Sequence, residues 1–142
     1  MEFLGFDHID LRVPSLAAVE PFYGRLLPQL GLSRLGYANV THGGDTWDEG
    51  TAEAHNAVEF YEEGVTGRPA RFLGVIEEHD AQPARGRIAF AVDGGSLDEW
   101  ERKLPELGAL AVYRNDNDAY PAIFFSDPAG TRLELCARRP RP

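Results

Sequence analysis

The sequence predicts an α+β chain assembled from two copies of one β-α-β-β-β unit. The first observation is a weak internal repeat. "HIDLRVPSLAAVEPFYGRLLPQLGL" (8–32) is matched by "RIAFAVDGGSLDEWERKLPELGAL" (87–110), and each copy closes on Leu-Pro-x-Leu-Gly. The second is periodicity. Ile9, Leu11 and Val13, and likewise Ile88, Phe90 and Val92, recur with the period of two that marks a strand with one buried face. The third is that three strand-like runs follow each helical pattern.

Ser15 is a good N-cap for the first helix. Leu16, Val19, Phe22, Tyr23, Leu26, Leu27 and Leu30 then follow at the 3, 4, 7, 8 spacing of an apolar stripe. Phe22 and Tyr23 read as core. Pro21 removes one backbone bond and is expected to bend the helix. The next strands are expected near 33–40, 56–62 and 70–77, with a polar insert, "THGGDTWDEGTAEAHN" (41–56), that reads as a mobile flap. In the second unit Ser96 and Glu99 form an expected capping box. Leu97, Trp100, Leu104 and Leu107 share a face, and Gly108 stops the helix. Strands are expected near 109–114, 120–126 and 131–137, the last two joined by Asp127-Pro128-Ala129-Gly130 as a type I turn. The whole reads as a single domain, 1–142, with unit one at about 1–80 and unit two at about 85–138.

A chain of 142 residues with 43% hydrophobic and 26% charged content can bury a core of its own. A net charge of −9 argues against nucleic acid, whose phosphates it would repel. No apolar run is long enough to span a membrane, and the first residues lack the pattern of a secretion signal, so a cytoplasmic address is expected. One cysteine, Cys136, excludes an intramolecular disulfide and a cysteine-rich zinc site. It reads as a small buried hydrophobe. The run Asp116-Asn117-Asp118 reads as an exposed turn, since the rest of a calcium loop is missing.

Parity places the polar candidates. His8, Asp10 and Arg12 share the face opposite Ile9, Leu11 and Val13. Arg132, Glu134 and Cys136 lie opposite Leu133 and Leu135, while Arg87 shares its face with Ala89 and Ala91, whose small side chains leave room for a ligand. Trp47, Tyr61, Tyr113, Tyr120 and Phe124 are available to line a site for a flat ligand or, equally, to serve as core or dimer contacts.

The stretch "DHIDLRVPSLAAVEPFYGRLLPQLGL" with the later "AIFFSDPAGTRLELC" resembles the vicinal oxygen chelate superfamily. That group includes glyoxalase I, bleomycin-resistance proteins, fosfomycin-modifying thiol transferases, extradiol dioxygenases and methylmalonyl-CoA epimerase. The resemblance implies paired βαβββ units curled into a glyoxalase-like cup, commonly completed as a homodimer. It also implies metal ligands on the first and last strands of each unit. His8 and Glu134 match two such positions. At the other two stand Arg87, where a histidine is implied, and Gly74.

A guanidinium is permanently protonated and cannot ligate a metal, but it pairs with a carboxylate. Arg87 is therefore expected to replace the metal as the cation facing Glu134. Two readings follow. One is a small-molecule-binding protein of the bleomycin-resistance type, whose ligand meets Arg87, Asp10, Arg12, Trp47, Tyr61 and Tyr120. The other is a metal-dependent lyase, isomerase, transferase or dioxygenase acting on a substrate with vicinal oxygens. In it, His8 and Glu134 are catalytic and hold one divalent ion (zinc, nickel, manganese or iron). Glu59 would be a third ligand if the strand register shifts, and His42 and His55 of the insert are available to close over the site.

Overall fold

The computed structural model describes residues 1–41 and 46–140 and divides into two compact units, Met1–Gln82 and Pro83–Pro142. The first contains β1 (His8–Val13), α1 (Leu16–Leu26), β2 (Leu32–Val40), β3 (Trp47–Glu49), β4 (Ala57–Glu62) and β5 (Phe72–Glu77). Its sheet runs in the order β1-β5-β4-β2-β3. The β1 strand is parallel to β5, and the other neighbours are antiparallel.

The start of α1 is capped twice. The Ser15 hydroxyl accepts from Ala18 N at 3.3 Å, and Glu77 Oε2, at the end of β5, accepts from Leu16 N at 2.9 Å. Two otherwise orphaned amides are satisfied, and the helix is tied to the sheet. The α-helix runs through Pro21 but ends at Leu26, with residues Leu27–Leu30 as a 3₁₀ turn. The expected helix to Leu30 is cut short because the Pro28 ring would meet the carbonyl four residues back in a continued α-helix. Gly31, at φ 88°, closes the turn. Val13, Leu73, Val75, Val58 and Phe60 are buried, as are Leu16, Val19, Phe22, Tyr23 and Leu26 of α1.

The described part of the insert, 46–56, is tied to the sheet and to α1. Trp47–Glu49 form β3 against Val40–Ala38, and His55 sits with Nε2 3.1 Å from the Glu20 carboxylate of α1 and Nδ1 2.9 Å from Thr51 O. Its ring lies 4.7 Å from that of Tyr37. His42 lies outside the described residues.

The second unit contains β6 (Arg87–Ala91), α2 (Leu97–Leu107), β7 (Leu110–Asn115), β8 (Ala122–Ser126) and β9 (Arg132–Cys136), in the sheet order β6-β9-β8-β7. The β6 strand is parallel to β9, which repeats the β1/β5 relationship. The expected capping box at Ser96 does not form. Ser96 is already helical, at φ −92° and ψ −7°, and its hydroxyl donates to Asp93 O at 2.8 Å. A cap needs an extended backbone for its oxygen to face the first amides, and a 3₁₀ turn over Gly94–Ser96 has taken that place.

The turn between β8 and β9 is built on Asp127, whose Oδ1 accepts from Ala129 N and Thr131 N, each at 2.8 Å. At 115–120 the asparagines cap their own turn, with Asn117 Oδ1 accepting from Ala119 N and Tyr120 N. Among the described residues no helix is long and apolar enough to cross a membrane.

Candidate functional site

In the first unit the strand register sorts side chains into rows across the sheet. His8 pairs with Phe72, Phe72 with Tyr61 and Tyr61 with Arg34. The next row is Asp10, Gly74, Glu59 and Gly36, and the third is Arg12, Ile76, Ala57 and Ala38. Paired residues point to the same side, so His8, Asp10, Arg12, Glu59 and Tyr61 share one face. Glu59 therefore reaches the His8 face in the plain register. The shift that the sequence reading required for it does not occur.

The first row is a continuous stack. The His8 ring lies 4.5 Å from Phe72 at 7°, Phe72 lies 4.7 Å from Tyr61, and the Arg34 guanidinium sits 4.3 Å over Tyr61. The second row has no side chain at Gly74 or Gly36, and the two carboxylates fill that space. A Cβ at Gly74 would lie 2.5 Å from Asp10 Oδ1, and one at Gly36 would lie 3.6 Å from Glu59 Oε1. Glu59 is buried and accepts a 2.5 Å hydrogen bond from the Tyr61 hydroxyl. Burial first, and then the bond to Glu59, push the Tyr61 pKa up to about 12.

His8 Nδ1 lies 2.7 Å from Asp7 Oδ1, which orients the ring, and Nε2 faces Asp10 Oδ2 at 3.7 Å. The hydrogen bond to Asp7 raises the His8 pKa. Partial burial opposes this, and the charges of Asp10 and Glu59 add to it.

Arg12, one row beyond Asp10, opens instead on a cavity of about 240 Å³ lined also by Thr41, Asn56, Glu77 and His79. Trp47 pairs with Val40 at the far edge of the sheet and is 42% exposed.

The second unit repeats the scheme with different chemistry. Its central row is Ala89, Glu134, Phe124 and Tyr113, flanked by Arg87 with Arg132 on one side and Ala91 with Cys136 on the other. Glu134 is 4% exposed. Arg87 Nη1 stands 3.8 Å from Glu134 Oε2, and its guanidinium lies 4.5 Å over the Phe124 ring. Among the described residues Glu134 Oε1 has no hydrogen-bond partner.

A pocket of about 370 Å³ opens on this face, lined by Ala89, Ala91, Val92, Tyr120, Cys136 and Arg138. Glu134 as a hydrogen-bond acceptor, then burial, then Cys136 push the Tyr120 pKa up to about 12, so the phenol stays neutral.

A divalent ion fits this donor set poorly. Among the described residues no three His, Cys, Asp or Glu side chains converge as a metal-binding group. The carboxylate most suited to it already faces a permanent cation, which would repel a second.

No protein-family model and no curated protein matches the chain. Solved structures do. An integron cassette protein from the mobile metagenome of the Halifax Harbour sewage outfall is 19% identical, over 95% of this chain and 99% of that one, with a TM-score of 0.63. A protein assigned to the glyoxalase family from Bacillus anthracis is 18% identical over 98% of each chain, with a TM-score of 0.59. A mutant of the fosfomycin-resistance protein FosX from Listeria monocytogenes, complexed with Mn(II) and 1S,2S-dihydroxypropylphosphonic acid, is 17% identical. It covers 97% of this chain and 95% of that one, with a TM-score of 0.65. The fold is glyoxalase-like.

Identities this low settle the fold and leave the chemistry to the residues on it. On this glyoxalase-like scaffold the structure brings His8, Asp10, Glu59 and Tyr61 together in one unit and Arg87, Glu134 and Tyr120 in the other. The sequence reading missed Phe72, Arg34 and Arg138. Phe72 was legible from the alternation 72/74/76 in the strand that begins at Phe72. Arg34 was hidden by a register irregularity between Leu32 and Arg34, and Arg138 lies past the end of β9.

Proposed function

We propose that this protein binds a small molecule on the Glu134 face of its second unit. It would be a glyoxalase- and bleomycin-resistance-like protein in which Arg87 takes the part that a metal plays in the metal-dependent members of the superfamily. The Arg87–Glu134 approach at 3.8 Å carries this reading. A buried carboxylate needs a counter-charge, and the guanidinium supplies one without an ion. The ligand would lie over Ala89 and Ala91 beside Tyr120, on the face that Ala89 shares with Glu134 and Arg87. In the first unit, His8, Asp10, Glu59 and Tyr61 are proposed as a second polar surface for ligand contact.

Elemental analysis of the purified protein tests the reading. Substoichiometric metal, unchanged in Glu134→Gln, is expected. Near-stoichiometric zinc, nickel, manganese or iron that is lost in that variant would overturn it.

One observation favours the other reading, a metal-dependent lyase, isomerase, transferase or dioxygenase: the unpartnered Glu134 Oε1. The same elemental analysis decides between the two. Homodimer assembly belongs to the proposal as well. It is supported by the exposed Phe3, Leu4 and Phe6 before β1 and Ile9 within it, and it is checked by sedimentation.

A further inference from the structure

At the start of β6 the second unit sets two cations on one rung of its sheet. Arg87 and Arg132 are direct partners in the parallel β6/β9 register, and Ser126 is the partner of Arg132 across β8/β9. Paired residues share a face, and like charges paired there repel each other. The chain has a formal net charge of −9, so composition gives no reason for two arginines to meet. Glu134, one row away, forms an ion pair with Arg87. Among the described residues no carboxylate pairs with Arg132.

Arg87, Arg132 and Ser126 line one pocket of about 180 Å³, together with Ala111, Phe124 and Phe125. The donors around it are largely unspent. The Arg87 approach to Glu134, at 3.8 Å, is longer than a hydrogen bond, and the guanidinium otherwise lies over the Phe124 ring. Arg132 donates once, to Arg85 O at 3.5 Å. The Ser126 hydroxyl has no hydrogen-bond partner among the described residues. Water solvates exposed donors but leaves the two like charges on the rung uncompensated.

The backbone beside the pocket is strained. Ala111, at φ 51°, is the only non-glycine among the described residues with a positive φ. It lies where the β7/β8 register shifts, between Leu110 and Tyr113. Irregular pairing and strained backbone of this kind cluster beside ligand sites.

We propose that Arg87, Arg132 and Ser126 form a binding site for a tetrahedral oxyanion, the phosphate or sulfate group of a small ester. Guanidinium groups hold such an anion through paired N–H···O bonds. Three donor groups on one pocket match three terminal oxygens, where a planar carboxylate offers only two. An anion there also removes the repulsion between the paired arginines, and the organic part of the ester lies against Phe124. The proposal goes beyond the small-molecule reading. It uses Arg87 but not the pocket beside Tyr120, and its test is separate from the metal analysis that decides that reading.

Calorimetric titration of the full chain with phenyl phosphate, phenyl sulfate and benzoate tests it, at about pH 8, where the phosphate ester is a dianion. The better of the two esters is expected to bind about tenfold or more tightly than benzoate. A tighter phosphate ester identifies the ligand group as a dianion, and a tighter sulfate ester as a monoanion. Arg132→Gln should weaken that ester about tenfold, and Ser126→Ala about threefold. Arg102→Gln, the same loss of charge on an exposed position of α2, should leave it unchanged. The amide signals of Ala111 and Ser126 should shift on binding.

The proposal is overturned if neither ester binds, if benzoate binds as tightly as the better ester, or if Arg102→Gln weakens binding as much as Arg132→Gln. Shifts confined to residues away from this pocket overturn it equally. Arg132 is exposed, so its replacement is expected to leave the fold intact. The wild-type titrations and amide shifts decide the matter should it not.

Discussion

Arg87 and Glu134 face each other across the β6/β9 pair, Nη1 to Oε2 at 3.8 Å, with Phe124 beneath the guanidinium. Removing the arginine leaves a buried carboxylate with no cation beside it. Arg87 is one-third exposed, so solvent screens part of the effect. Arg87→Ala is expected to lose about 1–2 kcal/mol in urea denaturation. Adding Glu134→Leu should recover part of that loss. A double variant less stable than the sum of the singles would refute the pairing.

Tyr61 is the donor that satisfies Glu59. Tyr61→Phe is expected to cost about 1–3 kcal/mol, because the carboxylate stays buried without its partner. The Tyr61 pKa lies near 12, above its ordinary value of 10.0. The folded state thus holds that proton more tightly than the unfolded chain. Its contribution is complete below pH 10 and is lost as pH rises through about 12. Ultraviolet titration should show a late phenolate step that shrinks by one tyrosine in Tyr61→Phe, with Tyr120 remaining in it.

At the β4–β5 connection Glu62 accepts from Arg68 at 2.7 and 3.1 Å and from Arg71 N at 2.9 Å. These bonds, the one from Arg68 first, hold its pKa at about 2 against an ordinary 4.5. A depressed carboxylate pKa stabilises above the unfolded value and is lost as pH falls. Glu62→Gln should therefore flatten the dependence of stability on pH between about 4.5 and 2, as read by thermal melts across that range. A wild-type curve already flat there would contradict the assignment.

Gly50 packs directly on β2. A Cβ there would lie 3.0–3.1 Å from the N, C and Cα atoms of Ala38, backbone atoms that cannot turn aside. Gly50→Ala is expected to destabilise by about 1–3 kcal/mol. Amide exchange should accelerate at Gly50, whose N–H bonds Tyr37 O at 2.9 Å, and around β3. Unchanged exchange would mean that the insert is not held there.

Much of the architecture was legible because it is local. Period-two runs, the Ser15 cap, Gly31, Gly108 and the Asp127 turn are short-range signals, and the structure keeps them. Parity put His8 and Asp10 on one face, and Arg87 and Glu134 on one face, because a strand leaves a side chain only two directions. What the sequence could not decide was which strands lie side by side and in what register. Hydrogen bonding between distant segments sets both, as in the Asp10–Gly74–Glu59 row. That pairing brought Glu59 to His8, laid Phe72 between His8 and Tyr61, and folded part of the polar insert into β3. The failed Ser96 cap has the same origin, since the turn at Gly94 fixed a backbone angle that no local pattern announced. The sequence by itself determined the two units and the residue types on their faces. The tertiary structure decided which of those residues meet, Arg87 with Glu134 and Tyr61 with Glu59, because only packing determines what is buried beside what.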